Sequence, residues 1–175
     1  MKVQVKKLLL GNSNAFLVSS GNEVVLIDGG LGDKSVKIID TAKSMVDEFL
    51  GIKYSFVTHA HYDHVGSLLG VRNLCETKIV AQKSSVEMLD RGESPVPAGT
   101  MWLSKKISWL GCLLFRRCIK FRGFKADLVV DEKLELPFAG GKIICHHLPG
   151  HTKGSMGIEI GEHFFAGDTL FHLLP

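Results

Sequence analysis

Apolar positions along the chain fall into short runs separated by polar, glycine- and asparagine-rich stretches. Val3 to Val18 reads as two short strands around the turn Gly11-Asn12-Ser13-Asn14. Glu23 to Ile27 is a continuous apolar run of the kind buried on both faces, and it ends in Asp28-Gly29-Gly30. Lys34 to Leu50 carries Val36, Ile39, Ala42, Met45, Val46 and Phe49 at helical spacing, which predicts an amphipathic helix stopped by Gly51. Tyr54 to Thr58 then reads as a strand, Val65 to Asn73 as a helix, and Lys78 to Ala81 as a strand. Ser84 to Arg91 reads as a short helix ahead of Pro95 and Pro97. Strands return at Asp131 to Leu136 and Lys142 to Leu148, around a turn at Pro137 to Gly141. Met156 to Ile160 and His163 to Ala166 follow, around Gly161-Glu162, and the last strand runs into Gly167-Asp168. Alternating strands and helices predict a layered α/β (α+β) domain, with ligands beyond the carboxyl ends of the strands.

At 175 residues the chain is one domain's worth, 1–175, with an interruption at about 95–126. Within it, Met101 to Lys125 holds Lys105, Lys106, Arg116, Arg117, Lys120, Arg122 and Lys125 and no acid, interleaved with Trp102, Trp109, Phe115, Phe121 and Phe124. The plain reading is a lid or insertion that packs its apolar face on the domain and solvates its charges. The functional readings are a cap that selects an anionic small-molecule substrate, or a surface that touches nucleic acid or an anionic membrane. Overall the net charge of +3 is too small to argue for nucleic acid by itself. No apolar run reaches the length of a membrane span, and Lys6-Lys7 precede only three leucines, too few for a secretory signal. Four cysteines without a C-x-x-C pair lead to the expectation of reduced thiols in a cytoplasmic protein.

The chemistry concentrates in Thr58 to Ser67, "THAHYDHVGS", which places His59, His61, Asp63 and His64 within six positions. Packing does not call for that density, because each polar group must be solvated, hydrogen-bonded or metal-bound. Imidazole nitrogen and carboxylate oxygen suit zinc, and also iron and manganese. In an extended segment residues i and i+2 point the same way, so His59 and His61 can pinch one ion, with Asp63 and His64 past the turn facing a second. Asp28, at the end of a buried strand, either caps a loop or orients a metal-bound histidine. His151 projects from the bend after Pro149-Gly150. Of the adjacent pair His146 and His147, at most one can face a site, and a structural role suits both. His163 reads as solvated, Cys145 as a small buried hydrophobe, and His172 as exposed or packed.

The stretches "THAHYDH", "LPGHTKGS" and "FAGDTLF", in that order and over nearly the whole chain, resemble the metallo-β-lactamase superfamily, in the glyoxalase II-like branch of general hydrolases. The resemblance implies a four-layer αββα sandwich with one or two metals at the edge between its sheets. It implies His59, His61 and His151 as ligands of a first metal, Asp63 and His64 of a second, and Asp168 as the bridge. Asp28 matches the aspartate that supports the site. Members of that family run several tens of residues past the G-D-T-L-F element, adding strands, a helix and a last histidine ligand. The sequence here ends at Pro175. The expectation is therefore an incomplete second site, which His172 or a partner chain would complete, and an uncovered sheet edge that favours a homodimer.

With that ligand set the expected chemistry is hydrolysis of an ester, thioester, lactone or amide by a hydroxide held on one or two zinc ions, a binuclear site where both bind. Asp63 is the expected catalytic residue, which orients the water or carries a proton to the leaving group. The alternatives are iron-dependent oxygen or sulfur chemistry on the same ligands, and a non-catalytic binding protein that works through 101–125.

Overall fold

The computed structural model describes residues 2–94 and 120–170, so most of the basic aromatic stretch and His172 lie outside the described residues. Among the described residues ten strands form two sheets. The first six are β1 (Gln4–Leu10), β2 (Ser13–Ser20), β3 (Glu23–Ile27), β4 (Ile52–Phe56), β5 (Lys78–Gln82) and β6 (Leu128–Val130), side by side in chain order. β1, β2 and β3 pair antiparallel, whereas β3 to β6 run parallel. The second sheet is an antiparallel meander of β7 (Lys133–Phe138), β8 (Gly141–His147), β9 (Met156–Ile160) and β10 (His163–Phe165).

Period-two alternation sorts side chains into two cores. On one face of the first sheet, Ala15, Leu17, Val24, Leu26, Ile79 and Ala81 pack against helices α1 (Ser35–Lys43), α3 (Leu68–Cys75) and α4 (Val86–Arg91) through Ile38, Ala42, Leu68, Val71 and Leu89. On the other, Val25, Ile27, Phe56 and Val80 meet Phe138, Ile143, Cys145, Met156 and Ile158 of the second sheet. Burying a side chain of this size contributes about 2 kcal/mol. The result is helix, sheet, sheet, the first three of the four layers in the αββα expectation. Among the described residues no helix covers the outer face of the second sheet, where Glu135 sits between Lys133 and Lys142. No described helix is long and apolar enough to cross a membrane.

Several elements differ from expectation. The first turn shortens to Gly11-Asn12 between longer strands. The helix predicted over Lys34 to Leu50 ends at Lys43, because the Ser44 hydroxyl and amide both bond Thr41 O and tighten the last turn. Met45, Val46 and Phe49 still pack on the core from irregular backbone, and Val36 points outward, 64% exposed. The predicted helix over Val65 to Asn73 is two: α2 (Tyr62–Val65) and then α3. Strand β6, three residues long, carries too short a pattern to be read from sequence.

Candidate metal centre

The site assembles where the carboxyl ends of parallel β3 and β4 meet the β8–β9 loop and the end of β10. β3 delivers Asp28, which is buried and holds a left-handed backbone with φ 59°. Such a conformation is costly for most residues and tolerated by aspartate, and it gathers at functional positions. β4 delivers Thr58 to His64. The Met156 amide donates to Thr58 O at 2.8 Å and so ties the start of β9 to the end of β4, bringing the two sheets together beside the histidines.

Two donor groups form, each with its ligand atoms within 4.8 Å of one another: His59, His61 and His151, and His59, His64 and Asp168. His61 Nδ1 lies 3.1 Å from both His59 Nε2 and His151 Nε2. Asp168 Oδ1 stands 3.5 Å from His64 Nε2, and its Oδ2 stands 4.0 Å from His59 Nε2 and from His151 Nε2. Asp168 thus sits beside both groups, the position expected of a bridge. The Asp63 carboxylate belongs to neither group. It lines a cleft of about 620 Å³ together with Asn12, Ser13, His64 and Asp168. A larger cleft of about 960 Å³, between β1 and α1, contains none of these residues and none of the histidines.

Hydrogen bonds behind the ligands set which nitrogens are bare. Asp28 Oδ1 accepts from the Thr58 amide at 2.9 Å, and its Oδ2 accepts from the Thr58 hydroxyl at 2.7 Å and faces His64 Nδ1 at 2.8 Å. With its proton committed to Asp28, Thr58 Oγ1 accepts from His59 Nδ1 at 3.1 Å. That assigns the His59 proton to Nδ1 and leaves Nε2 as a lone pair aimed into the cluster. Asp28 fixes His64 in the same sense, with Nδ1 inward and Nε2 toward Asp168.

Electrostatics follow the burial. Desolvation, then the neighbouring His64 and His61, push His59 down to about 2. Desolvation and then His151 push His61 down to about 4. Burial acts against a charged His64 as well, but the Asp28 charge and the hydrogen bond to Asp168 outweigh it and raise His64 to about 10. The His64 contact holds the Asp168 carboxyl below its ordinary range. At neutral pH His59 and His61 are therefore neutral, with lone pairs available to a cation. Three imidazoles in one group, and two imidazoles with a carboxylate in the other, fit a borderline divalent cation by donor type and by convergence.

Of the other residues considered, His146 bonds Glu159 at 3.2 Å, and His147 faces the Lys153 carbonyl at 2.9 Å, so neither joins a donor group. His163 is exposed and Cys145 fully buried, with burial raising its thiol to about 12. Sequence reasoning did not single out Thr58 or Ser13. Thr58 stands directly before the first histidine, and its adjacency was the available signal. Ser13, whose hydroxyl donates to the Asp63 carbonyl, sits 50 residues away, with no local pattern to mark it.

A family description, the metallo-β-lactamase superfamily, matches residues 8–173. The chain belongs to the metallo-β-lactamase superfamily. Its relatives include a β-lactamase-like protein 2 homolog of Drosophila melanogaster, 24% identical over 93% of this chain and 48% of that one. A probable metallo-hydrolase, YflN, of Bacillus subtilis is 25% identical over 88% of this chain and 58% of that one. A hydroxyacylglutathione hydrolase of Psychromonas ingrahamii is 26% identical over 87% and 44%. The chain therefore spans about half the length of the curated relatives it matches. Among solved structures, the BLEG-1 B3 metallo-β-lactamase superposes with TM-score 0.72 at 23% identity, covering 96% of this chain and 73% of that one. A metallo-β-lactamase of Cronobacter sakazakii gives 0.68 at 18% identity, over 88% and 53%. These likenesses establish the superfamily's fold.

Proposed function

We propose that the chain is a metal-dependent hydrolase acting on an ester, thioester, lactone or amide of a small molecule bound in the cleft beside Asp63 and Asp168, with zinc first and manganese or iron next as the metal. The observation that carries this reading is the pair of donor groups sharing buried His59, whose Nε2 is left bare by the hydrogen bond of its Nδ1 to Thr58. A divalent cation there supplies Lewis acidity and lowers the pKa of a coordinated water into the neutral range.

The chain's own residues do the rest. His59, His61 and His151 present nitrogens from one side, which leaves the cleft side open to substrate. Asp28 and Thr58 hold His64 and His59 in their ligating tautomers. Asp63, on the cleft wall, takes the proton of the attacking water at its carboxylate and passes it to the leaving group. The hydroxyacylglutathione hydrolase and the metallo-hydrolase among the relatives support hydrolysis over other chemistry.

The test is turnover of an ester, thioester and lactone panel before and after chelation. Activity lost on chelation and restored by zinc or manganese is expected. Turnover that persists in metal-free protein, with metal content verified by elemental analysis, would remove the metal from the reaction.

A further inference from the structure

The four-residue helix α2 carries Asp63 and His64 and starts directly after His61, so its backbone sets where three of the candidate site residues point. A helix start leaves unbonded amides, which a side chain at the capping position ordinarily satisfies. Here that position is His61, whose imidazole is turned into the donor cluster and makes no cap. The first amide of the turn, Tyr62 N, lies before the amides that a cap at His61 would reach, and it donates to Ser94 Oγ at 3.2 Å, from 32 residues downstream. On the next residue, the Asp63 carbonyl accepts from the hydroxyl of buried Ser13, from the opposite side of the sequence. Two further groups of the turn are met by backbone: His64 N donates to His61 O at 2.9 Å, and Gly29 N donates to His64 O at 2.6 Å.

We propose that Ser13 and Ser94 are positioning residues, a pair of hydroxyls from distant segments that grip the backbone of the 61–64 turn and hold His61, Asp63 and His64 in metal-binding register. The inference rests on the metal reading of the site. Ser94 ties down the first amide of the turn, which no side chain at His61 could reach, and Ser13 prevents the Asp63 peptide from rotating. The base that presents Ser94 is itself fixed. Phe121 N donates to Gly92 O, Glu93 bridges Lys120, and Gly92 and Gly123 approach so closely that a Cβ on Gly92 would lie 2.2 Å from Phe121 O.

The experiment measures zinc affinity of the intact chain by competition with a chromogenic chelator. It also records the visible absorption spectrum of the cobalt-loaded protein and the unfolding midpoint of metal-free protein. Ser94→Ala and Ser13→Ala are each expected to weaken zinc binding about tenfold, the loss seen when groups behind metal ligands are removed, and to change the cobalt bands. Ser94→Thr, which keeps the hydroxyl, restores affinity to within about twofold of the original, because its oxygen can accept the same bond. A merely structural role would lower the metal-free midpoint while leaving zinc affinity and the cobalt spectrum of the folded protein unchanged, and that result overturns the proposal for the residue concerned. Should Ser94→Ala fail to fold, Ser94→Cys keeps the volume with a poor acceptor and is read the same way. If the unaltered chain binds neither zinc nor cobalt, the metal reading falls and takes the clamp with it. If it binds both, and the alanine variants bind equally well, only the clamp falls.

Discussion

Replacing Asp28 with asparagine separates the charge of this residue from its shape. Asparagine tolerates the left-handed backbone that Asp28 adopts, so the change acts on the carboxylate and not on φ. In metal-free protein the carboxylate pairs with a protonated His64 at 2.8 Å while accepting two bonds from Thr58. Both partners are buried, with side-chain exposures of 5% and 3%. Removing one member of a buried pair costs about 3–5 kcal/mol. The pH dependence identifies the cause. His64 has its folded pKa raised from 6.5 to about 10, so the native state holds a proton that the unfolded state gives up. Its contribution is complete below pH 6.5 and is lost as pH rises toward 10. His59 and His61 act in the opposite direction, because their folded values are lowered. Their contribution is present above 6.5 and is lost as pH falls toward about 4 and about 2. Of these three histidines only His64 titrates between 6.5 and 10, and the comparison of parent with Asp28→Asn cancels groups that are common to both. Urea denaturation of chelated protein should show the stability gap between parent and Asp28→Asn narrowing across that interval. The Thr58 bonds account for what remains at the alkaline end. A gap under about 1 kcal/mol at pH 6.5, or one that does not change up to pH 10, would refute the ion pair as the reason for this buried carboxylate.

Two further substitutions probe the frame around the ligands. A Cβ on Gly66, the residue after α2, would lie 2.5 Å from Gly32 N and 2.7 Å from the carbonyls of Gly30 and Gly32, all of them backbone that cannot step aside. Gly66→Ala should cost about 3 kcal/mol and displace His64, read as a lowered unfolding midpoint together with weaker zinc binding; parental values for both would refute it. Thr58→Val keeps the shape but leaves His59 Nδ1 without its acceptor and Asp28 with one bond fewer. It should cost about 1–3 kcal/mol and weaken zinc binding about tenfold, and unchanged zinc affinity would show that the Thr58 relay does not set the His59 tautomer.

The candidate ligands were readable from sequence because their chemistry is local. His59, His61 and His64 fall within one short turn, and the glycines and proline around His151 and Asp168 mark where strands end. Strand order was equally open to reading, since each run from β1 to β5 carries its own apolar pattern. What sequence could not supply depends on contacts across the fold. The early end of α1 turns on a competition between Ser44 and the helix ladder, which apolar spacing does not register. The hydrogen bonds of Ser13 and Ser94 to the turn come from segments 50 and 32 residues away. Second-half residues His146 and His147 were ambiguous for a related reason. Alternation along β8 decides which faces which way, but only the neighbouring β9 shows that His146 spends its ring on Glu159.

The donor groups draw on both halves of the chain, three histidines after β4 and His151 with Asp168 after β8 and β10, so a metal ion should act as a bridge between the two sheets. A ligand that binds only the folded state stabilises it by RT ln(1 + [L]/Kd), about 2.7 kcal/mol at one hundred times Kd. Zinc at that excess should raise the unfolding free energy of the parent chain by this amount. Among the described residues His151 is the second half's sole imidazole in the donor groups. Its ring is 19% exposed, so His151→Ala should change metal-free stability by only about 1 kcal/mol. Loss of one of three imidazoles should weaken zinc at least a hundredfold, and at the same concentration the stabilisation would then fall to about 0.4 kcal/mol. Calorimetric scans of both proteins, with chelator and with zinc, provide the comparison. An undiminished zinc increment in His151→Ala would mean that His151 does not hold the ion, and any bridge between the sheets would then rest on Asp168.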